Sequence, residues 1–439
     1  NLIFKYLLKK MLEKIFKLKN FNTDFKTEFL AGITTFITMA YIIFVNPQMM
    51  AASGMDIGAS FVGTCIAASI ACIAMGIYAN WPVGLAPGMG LNAFFTYTVV
   101  GEMGYSWEVA LGAVFLAGIL FFVMSVTPLR QWMLESIPFN LRIAMGAGVG
   151  LFIGIIGLKS GGIITSNEAT LLSMGDLTKP ETILAMISFL VIAVLSIRKI
   201  PGAIVIGIFL VTSIALALNL IKFNGIVSSP PSLMPVMLKL DISQAFDLAM
   251  ISVIMSFLFV NLFDTAGTLV GVANQAKLIK ADGGIDNLDR ALKADSSSSA
   301  VGSLFGCSPV TSYVESSAGI EAGGRTGLTA VTVGILFLLA IFFAPLATMI
   351  PAYATSGALI YVAILMLSSM EKLNWSDLSD LLPALVIIVM MPLTFSIANG
   401  IALGFLSYVI IKIFSGQLKA ISSGAWFLTI IFLSKFIFL

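Results

Sequence analysis

A chain of 439 residues with 59% hydrophobic and 10% charged residues lies outside the range of water-soluble domains, which run about 45–50% apolar and about 25% charged. The net charge of +2 offers no basic surface for nucleic acid, and the complete lack of histidine excludes His-based zinc sites, haem ligation by His, Ser-His-Asp triads and His proton relays. With a mean hydropathy of +1.03, the composition describes a polytopic, all-α membrane protein whose proton chemistry must run through carboxylates.

The leading stretch KYLLKKMLEKIFKLKN (5–20) alternates lysines with apolar residues at helical spacing. It predicts an amphipathic helix on an anionic inner leaflet, within a cytoplasmic segment 1–27. No apolar h-region with a cleavage site accompanies it, so no signal peptide is expected. Apolar segments follow at 28–47, 58–79, 107–127, 140–158, 181–197, 202–221, 245–271, 327–349, 352–370, 380–397 and 398–414. Three shorter stretches broken by Gly, Ser and Pro lie at 83–100, 291–306 and 307–320, which makes fourteen predicted spans. The run 425–439 contains Lys435 and reads as interfacial, within a tail 416–439. With the N-terminus inside, alternation through fourteen spans puts most basic residues on the inner side. Only Lys159, Lys179, Lys222 and Lys239 fall outside, with Lys435 unassigned; this bias predicts a multi-pass cell-membrane protein with both termini cytoplasmic.

An internal repeat of about half the chain is visible. FVN occurs at 44–46 and 259–261, GILFF at 118–122 matches GILFL at 334–338, and the broken LAPGMGLNAFF (85–95) faces CSPVTSYVESS (307–317). Seven spans per half, an odd number, predicts an inverted repeat, an arrangement typical of secondary transporters.

Two acids fall deep in predicted spans, Asp264 and Glu315. A charge at the membrane centre costs about 2.5–3.5 kcal/mol even on the lenient insertion scale, so such residues face a cavity or a partner. Asn261, Asp264, Thr265 and Thr268 form one polar stripe, and Thr35, Thr38 and Asn46 a looser one. The segment holding Glu315 predicts an extended stretch and then a half-helix starting near Ser312, with Asn92 in the corresponding broken segment nearby. Free half-helix amides, an Asn and a carboxylate suit a small, flat, polar heterocycle. Dipole and burial pull Glu315 in opposite directions, which suits a proton carrier. Phe94, Phe95, Phe259, Phe263 and Tyr313 are candidates to stack on the ligand. The candidate substrate-binding set is Glu315, Asp264, Asn261, Asn92, Thr35, Thr38 and Ser312, with Glu315 and Asp264 also candidate proton carriers. Gly146, Gly150 and Gly154 share a helix face that predicts close approach at a sliding domain interface. Cys65, Cys72 and Cys307 read as buried structural thiols, and no metal-ligand cluster or cofactor motif is present.

The motifs GITTFITMAYIIFVNP (32–47), LAPGMGLNAFF, LFDTAGTLVGV (262–272) and TSYVESSAGIEAGGRTGLTAV (311–331) strongly resemble the nucleobase–cation symporters, in particular the adenine/guanine/hypoxanthine permease branch. The resemblance covers roughly residues 24–415. It implies a core domain (28–127 and 245–349) moving against a gate domain (128–221 and 350–415). It also implies proton-driven purine import with H+ as the coupling ion, no other cofactor and often a homodimer. Glu315, Asp264 and Asn92 match substrate-site positions of the family; Asn261 stands where members usually carry a second acid. A sulfate or dicarboxylate transporter of the same fold is the alternative, poorly served by two site carboxylates, and an enzyme is not expected.

Overall fold

A computed structural model describes residues 10–129, 137–279 and 284–438. Residues 10–16 are helical, as the amphipathic pattern predicts. The first half then runs α1 (Phe25–Met39), α2 (Ile42–Ala52), α3 (Ile57–Ala74), β1 (Leu85–Pro87), α4 (Met89–Ala93, continued by a wider turn to Glu102), α5 (Trp107–Val126) and α6 (Phe139–Ser160). An exposed hairpin, β2 (Ile164–Asn167) and β3 (Leu171–Met174), leads to α7 (Pro180–Ile197) and α8 (Ala203–Ala217). The second half comprises α9 (Leu248–Gln275), α10 (Leu288–Leu304), β4 (Val310–Ser312), α11 (Ser316–Glu321), α12 (Gly327–Ala340), α13 (Ala344–Met349), α14 (Ala352–Leu367), α15 (Leu378–Leu393), α16 (Ile397–Phe414) and α17 (Ser423–Phe438). Among the described residues nine helical stretches are long and apolar enough to cross a membrane, by length and composition.

Several helices start on side-chain caps. Asp56 Oδ1 accepts from Ala59 N–H at 2.7 Å before α3, and Ser396 Oγ accepts from Asn399 N–H at 3.3 Å before α16. Outside the membrane, Thr27 N–H donates to Asp24 Oδ1 at 2.8 Å before α1. That bond holds the Asp24 carboxyl below its ordinary range.

Helix packing falls into two groups. In one, α10 packs on α5 and α3, α12 on α3 and α1, and α11 on α1; in the other, α14 packs on α6 and α7, α6 on α15, and α15 on α16. Lipid tails are as apolar as leucine, so association rests on close packing and small residues rather than on exclusion of water. Gly76 and Gly327 show this: a Cβ on either would run into the carbonyl oxygen of the other.

Four expectations are corrected. The stretch 291–306 is not broken. It is the continuous helix α10, because Ser296, Ser297, Ser298 and Ser303 each donate their hydroxyl to a carbonyl three or four residues back and so cross the interior as satisfied small residues. The half-helix expected near Ser312 starts at Ser316, since β4 keeps Ser312 extended and paired. The tail expected at the interface folds back along α16: Phe432 stacks on Phe405 (centroids 6.3 Å apart) and Tyr408 OH donates to Ala420 O at 3.3 Å. Gly150 and Gly154 lie against Ala363 and Met366 of α14, and Gly146 has open space around its Cβ position. This face joins α6 to α14, a helix of its own group, so the close approach lies within that group.

Candidate functional site

The site is built around two buried three-residue strands. β1 and β4 pair antiparallel, with Leu85 opposite Ser312, Ala86 opposite Thr311 and Pro87 opposite Val310. Irregular backbone inside a membrane protein survives only where its polar groups are matched, and here they are. Gly88 N–H donates to Pro309 O (2.9 Å), Tyr313 N–H to Gly84 O (3.0 Å), Ser316 Oγ accepts from Gly84 N–H (3.0 Å), and Ser299 Oγ donates to Val310 O (2.8 Å).

Beside β4 lies a buried network centred on Asp295 of α10. Thr265 Oγ1 donates to Asp295 Oδ1 at 2.7 Å, and Ser312 Oγ makes a short bond to Asp295 Oδ2. Thr265 Oγ1 is also 3.0 Å from Thr311 Oγ1; with its own proton on Asp295, it accepts from Thr311. Asn261 Nδ2 donates to Ser299 Oγ at 2.9 Å. Both oxygens of a fully buried carboxyl are therefore occupied by hydroxyls, and α9, α10 and β4 are fixed to one another.

Glu315 follows β4 at the start of α11, but its side chain makes no cap bond. Its Oε1 instead accepts from Tyr41 OH at 2.7 Å, and Tyr41 is buried between α1 and α2. The second oxygen and the spare lone pair of the first stay available to a ligand. Thr38 Oγ1 lies 2.8 Å from Thr35 O, 3.1 Å from Thr34 O and 3.4 Å from Glu315 O, so most of its capacity is spent on its own helix. Thr35 is buried against α11, with no partner for its hydroxyl.

Asn92 belongs to a third cluster. Its Nδ2 donates to Asn46 Oδ1 (3.1 Å), which also accepts from Ser308 Oγ (3.1 Å), while Asn46 Nδ2 donates to Thr64 Oγ1 (2.8 Å). Its Oδ1 is buried without a partner, which leaves an acceptor unspent. Asn46–Thr64 in the first half and Asn261–Ser299 in the second are matching bonds, each from an asparagine amide to a hydroxyl.

Asp264 is different again. The N-terminal part of α9 is buried through Met250, Val253, Ile254, Phe257 and Leu258. From Asp264 onward a face of the helix is open: Asp264, Gly267, Val270 and Gly271 are exposed, and a Cβ on Gly267 or Gly271 would meet nothing within 4 Å. Glu315 is half-buried and Val314 58% exposed. An accessible face thus runs along the C-terminal half of α9, and Asp264 lies close enough to Glu315 and Asp295 to interact electrostatically with both. Phe263 is half-buried and stacks on Phe259 at 6.5 Å, which places it, among the five candidate aromatics, next to the open face. Phe94, Phe95, Phe259 and Tyr313 are buried, with Phe94 edge-on to Phe257 at 4.9 Å.

Of the residues singled out in the sequence, Asn261, Thr265 and Ser312 meet around Asp295, Glu315 meets Thr38, and Asn92 meets Asn46. Asp295 and Tyr41 are the partners that the sequence reading missed. An acid followed by four serines (295–299) was the available signal for the first. Asn261→Asp is expected to weaken the α9–α10 contact: Ser299 already spends its proton on Val310 O, so a carboxylate in place of the amide donor leaves two acceptors facing each other. Losing a buried hydrogen bond this way costs about 1–3 kcal/mol. Thermal unfolding of the purified variant should show the loss, and an unchanged Tm would place Asn261 outside this network.

Comparison with known proteins agrees with this architecture. A model of a permease family (Xan_ur_permease) matches residues 26–403. The adenine permease AdeP of Escherichia coli (strain K12) is 48% identical over 429 residues, covering 98% of this chain and 96% of AdeP. The guanine/hypoxanthine permease PbuG of Bacillus subtilis (strain 168) is 41% identical over 440 residues, covering 98% of this chain and all of PbuG. Among solved structures, the transmembrane domain of a cyanobacterium bicarbonate transporter, BicA, superposes with a TM-score of 0.65 at 17% identity, over 85% of this chain and 97% of that one, which speaks to fold alone. The chain is a multi-pass membrane transporter, not an enzyme, and belongs to the permease family, in the branch of the adenine and guanine/hypoxanthine permeases.

Proposed function

We propose that this protein imports purine nucleobases (adenine, guanine or hypoxanthine) by proton symport. The observation that carries the reading is the accessible face of α9 that begins at Asp264, with Glu315 close to it. There a carboxylate steadied by Tyr41 offers acceptors to the N–H edge of a purine, and Phe263 lies within reach of its face. Three carboxyl groups clustered in a membrane interior, with no lysine or arginine ion-paired to them among the described residues, form an arrangement that holds and exchanges protons. The close relatives named for adenine, guanine and hypoxanthine support the substrate class, and two acids at the site disfavour a sulfate or dicarboxylate cargo. Uptake of radiolabelled adenine, guanine, hypoxanthine, xanthine and uracil at two external pH values tests the reading. Purine accumulation that rises at acidic external pH is expected, and pH-independent or uracil-selective uptake overturns it.

The accessible face lies toward the end of α9 that carries Lys277, the side that the distribution of basic residues makes cytoplasmic; on this reading the state is inward-open, in a cell membrane with both termini inside. The two helix groups support a division into core and gate units, each with spans from both halves of a fourteen-span inverted repeat. Alternating access follows if one group moves past the other. At their boundary Gly90 of α4 abuts Val149 of α6, and a Cβ at 90 would overlap the stiff valine side chain. Gly90→Ala is expected to bind purine in detergent while transporting several-fold more slowly, because overpacking of about 1–3 kcal/mol falls unequally on the two access states. Equal losses in binding and uptake would place Gly90 away from the moving boundary.

A further inference from the structure

A cavity lined by none of the candidate substrate-site residues opens where the N-terminal segment meets the turn after α3 and the start of α10. Its volume is about 270 Å³ and its polar lining includes Lys17, Asn20, Asp286, Asn287 and Arg290. Among the described residues neither Lys17 nor Arg290 is ion-paired; Arg290 lies over the Tyr78 ring at 5.8 Å. Among the described residues the side-chain amides of Asn20 and Asn287 have no hydrogen-bond partner, whereas Asn80 is spent as a joint, donating to Phe16 O (3.0 Å) and accepting from Gly327 N–H (2.8 Å). Lys17, Asn80 and Asn287 all adopt left-handed backbone (φ +53°, +56° and +51°). That conformation is disfavoured for a lysine, and it turns the chain about the cavity in place of continuing the helix of residues 10–16. At the cavity wall, Ile15 (39%), Ile77 (55%) and Tyr78 (48%) are exposed.

We propose that this cavity binds the headgroup of an anionic phospholipid, with a phosphodiester on Lys17 and Arg290 and headgroup hydroxyls on the Asn20 and Asn287 amides. Two cations, Lys17 and Arg290, outnumber the single acid of the lining, Asp286, and leave it net positive, complementary to an anionic lipid such as phosphatidylglycerol. The exposed Ile15, Ile77 and Tyr78 give the acyl chains and glycerol backbone an apolar exit, which a soluble phosphate would not need. The lysine-rich helix of 10–16 brings the site to the membrane surface. This inference does not depend on the substrate of the transporter.

The test measures lipid retention by the purified full-length chain, using native mass spectrometry after exposure to phosphatidylglycerol or phosphatidylcholine vesicles. Wild type is expected to retain phosphatidylglycerol in preference. Lys17→Gln/Arg290→Gln should weaken that retention roughly 30-fold, from the contribution of two basic residues near an anionic surface. Lys372→Gln/Lys419→Gln, which removes two exposed charges elsewhere on the same predicted side, should leave it unchanged. Should the loss of the Arg290–Tyr78 contact prevent folding, Lys17→Gln alone is expected to give about a fivefold loss. The proposal is overturned by equal retention of the two lipids, by equal effects of the two double variants, or by displacement of the lipid with millimolar soluble glycerol 3-phosphate, which would mark a soluble-anion site.

Discussion

Glu315→Gln is expected to reduce concentrative purine uptake to the level of vesicles without the transporter, while the protein still reaches the membrane. Tyr41 OH donates to Glu315 Oε1 at 2.7 Å, and a glutamine carbonyl accepts the same bond, so the local fold survives. What changes is the rest of the side chain. The amide nitrogen is a donor where the carboxylate offered an acceptor, and it meets the N–H edge of a purine donor to donor. A hydrogen bond to a charged group contributes about 1.5–3 kcal/mol, so binding to purified protein should weaken by about 10- to 150-fold. Accumulation should fall further, since an amide does not titrate near neutral pH and carries no proton for coupling. Tyr41→Phe supplies the contrast. It leaves the carboxylate in place but frees it to rotate, so it should raise KM with a smaller loss in maximal rate, and add little when combined with Glu315→Gln. Normal accumulation by Glu315→Gln would remove this residue from the site.

Most of the architecture was legible because membrane helices announce themselves by composition. The apolar segments from 28–47 to 398–414 coincide with helices to within a few residues, and the prolines and glycines of LAPGMGLNAFF and GCSPVTSYVESS marked where the backbone leaves the helix. Pairing of Leu85–Pro87 with Val310–Ser312 could not be read from either segment alone, since it joins residues more than two hundred positions apart. The helix α10 was hidden for a different reason. Its run of serines lowers the hydropathy of a segment that is nonetheless buried, and hydropathy does not register hydroxyls that fold back onto their own carbonyls. The glycine face of α6 was visible as a face, but its partner was not. Periodicity shows that a helix approaches something closely and is silent on whether that neighbour moves. Among the site residues, Glu315 and Asp264 stood out because a lone carboxylate in an apolar run has few explanations, whereas Tyr41 in an apolar run has many.

Asp295 separates positioning from proton handling through two substitutions. Asp295→Ala is expected to unfold the site: Thr265 and Ser312 lose the acceptor that both now use. Each buried hydroxyl left unmatched costs about 1–3 kcal/mol, and β4 keeps only the Ser299–Val310 bond as a side-chain tie to α10. A Tm lower by several degrees and loss of both binding and uptake should follow. Asp295→Asn keeps one oxygen for Ser312 or Thr265, and the other hydroxyl can turn to accept from the new amide nitrogen, because Thr265 already has Thr311 and Asn261 beside it. This variant should fold with a Tm close to that of wild type and bind purine within a fewfold of it. If Asp295 exchanges a proton during transport, Asp295→Asn should equilibrate purine across the membrane without accumulating it, and its uptake should no longer respond to external pH. If Asp295 only positions β4, Asp295→Asn should accumulate purine with the wild-type pH profile. The alanine variant cannot distinguish these outcomes, since it removes the scaffold along with the proton site. Counterflow exchange and proton-driven accumulation, measured on the same proteoliposomes, read the difference: exchange needs binding and movement but no net proton transfer, so a lost proton site keeps exchange and abolishes accumulation, whereas a positioning role keeps both.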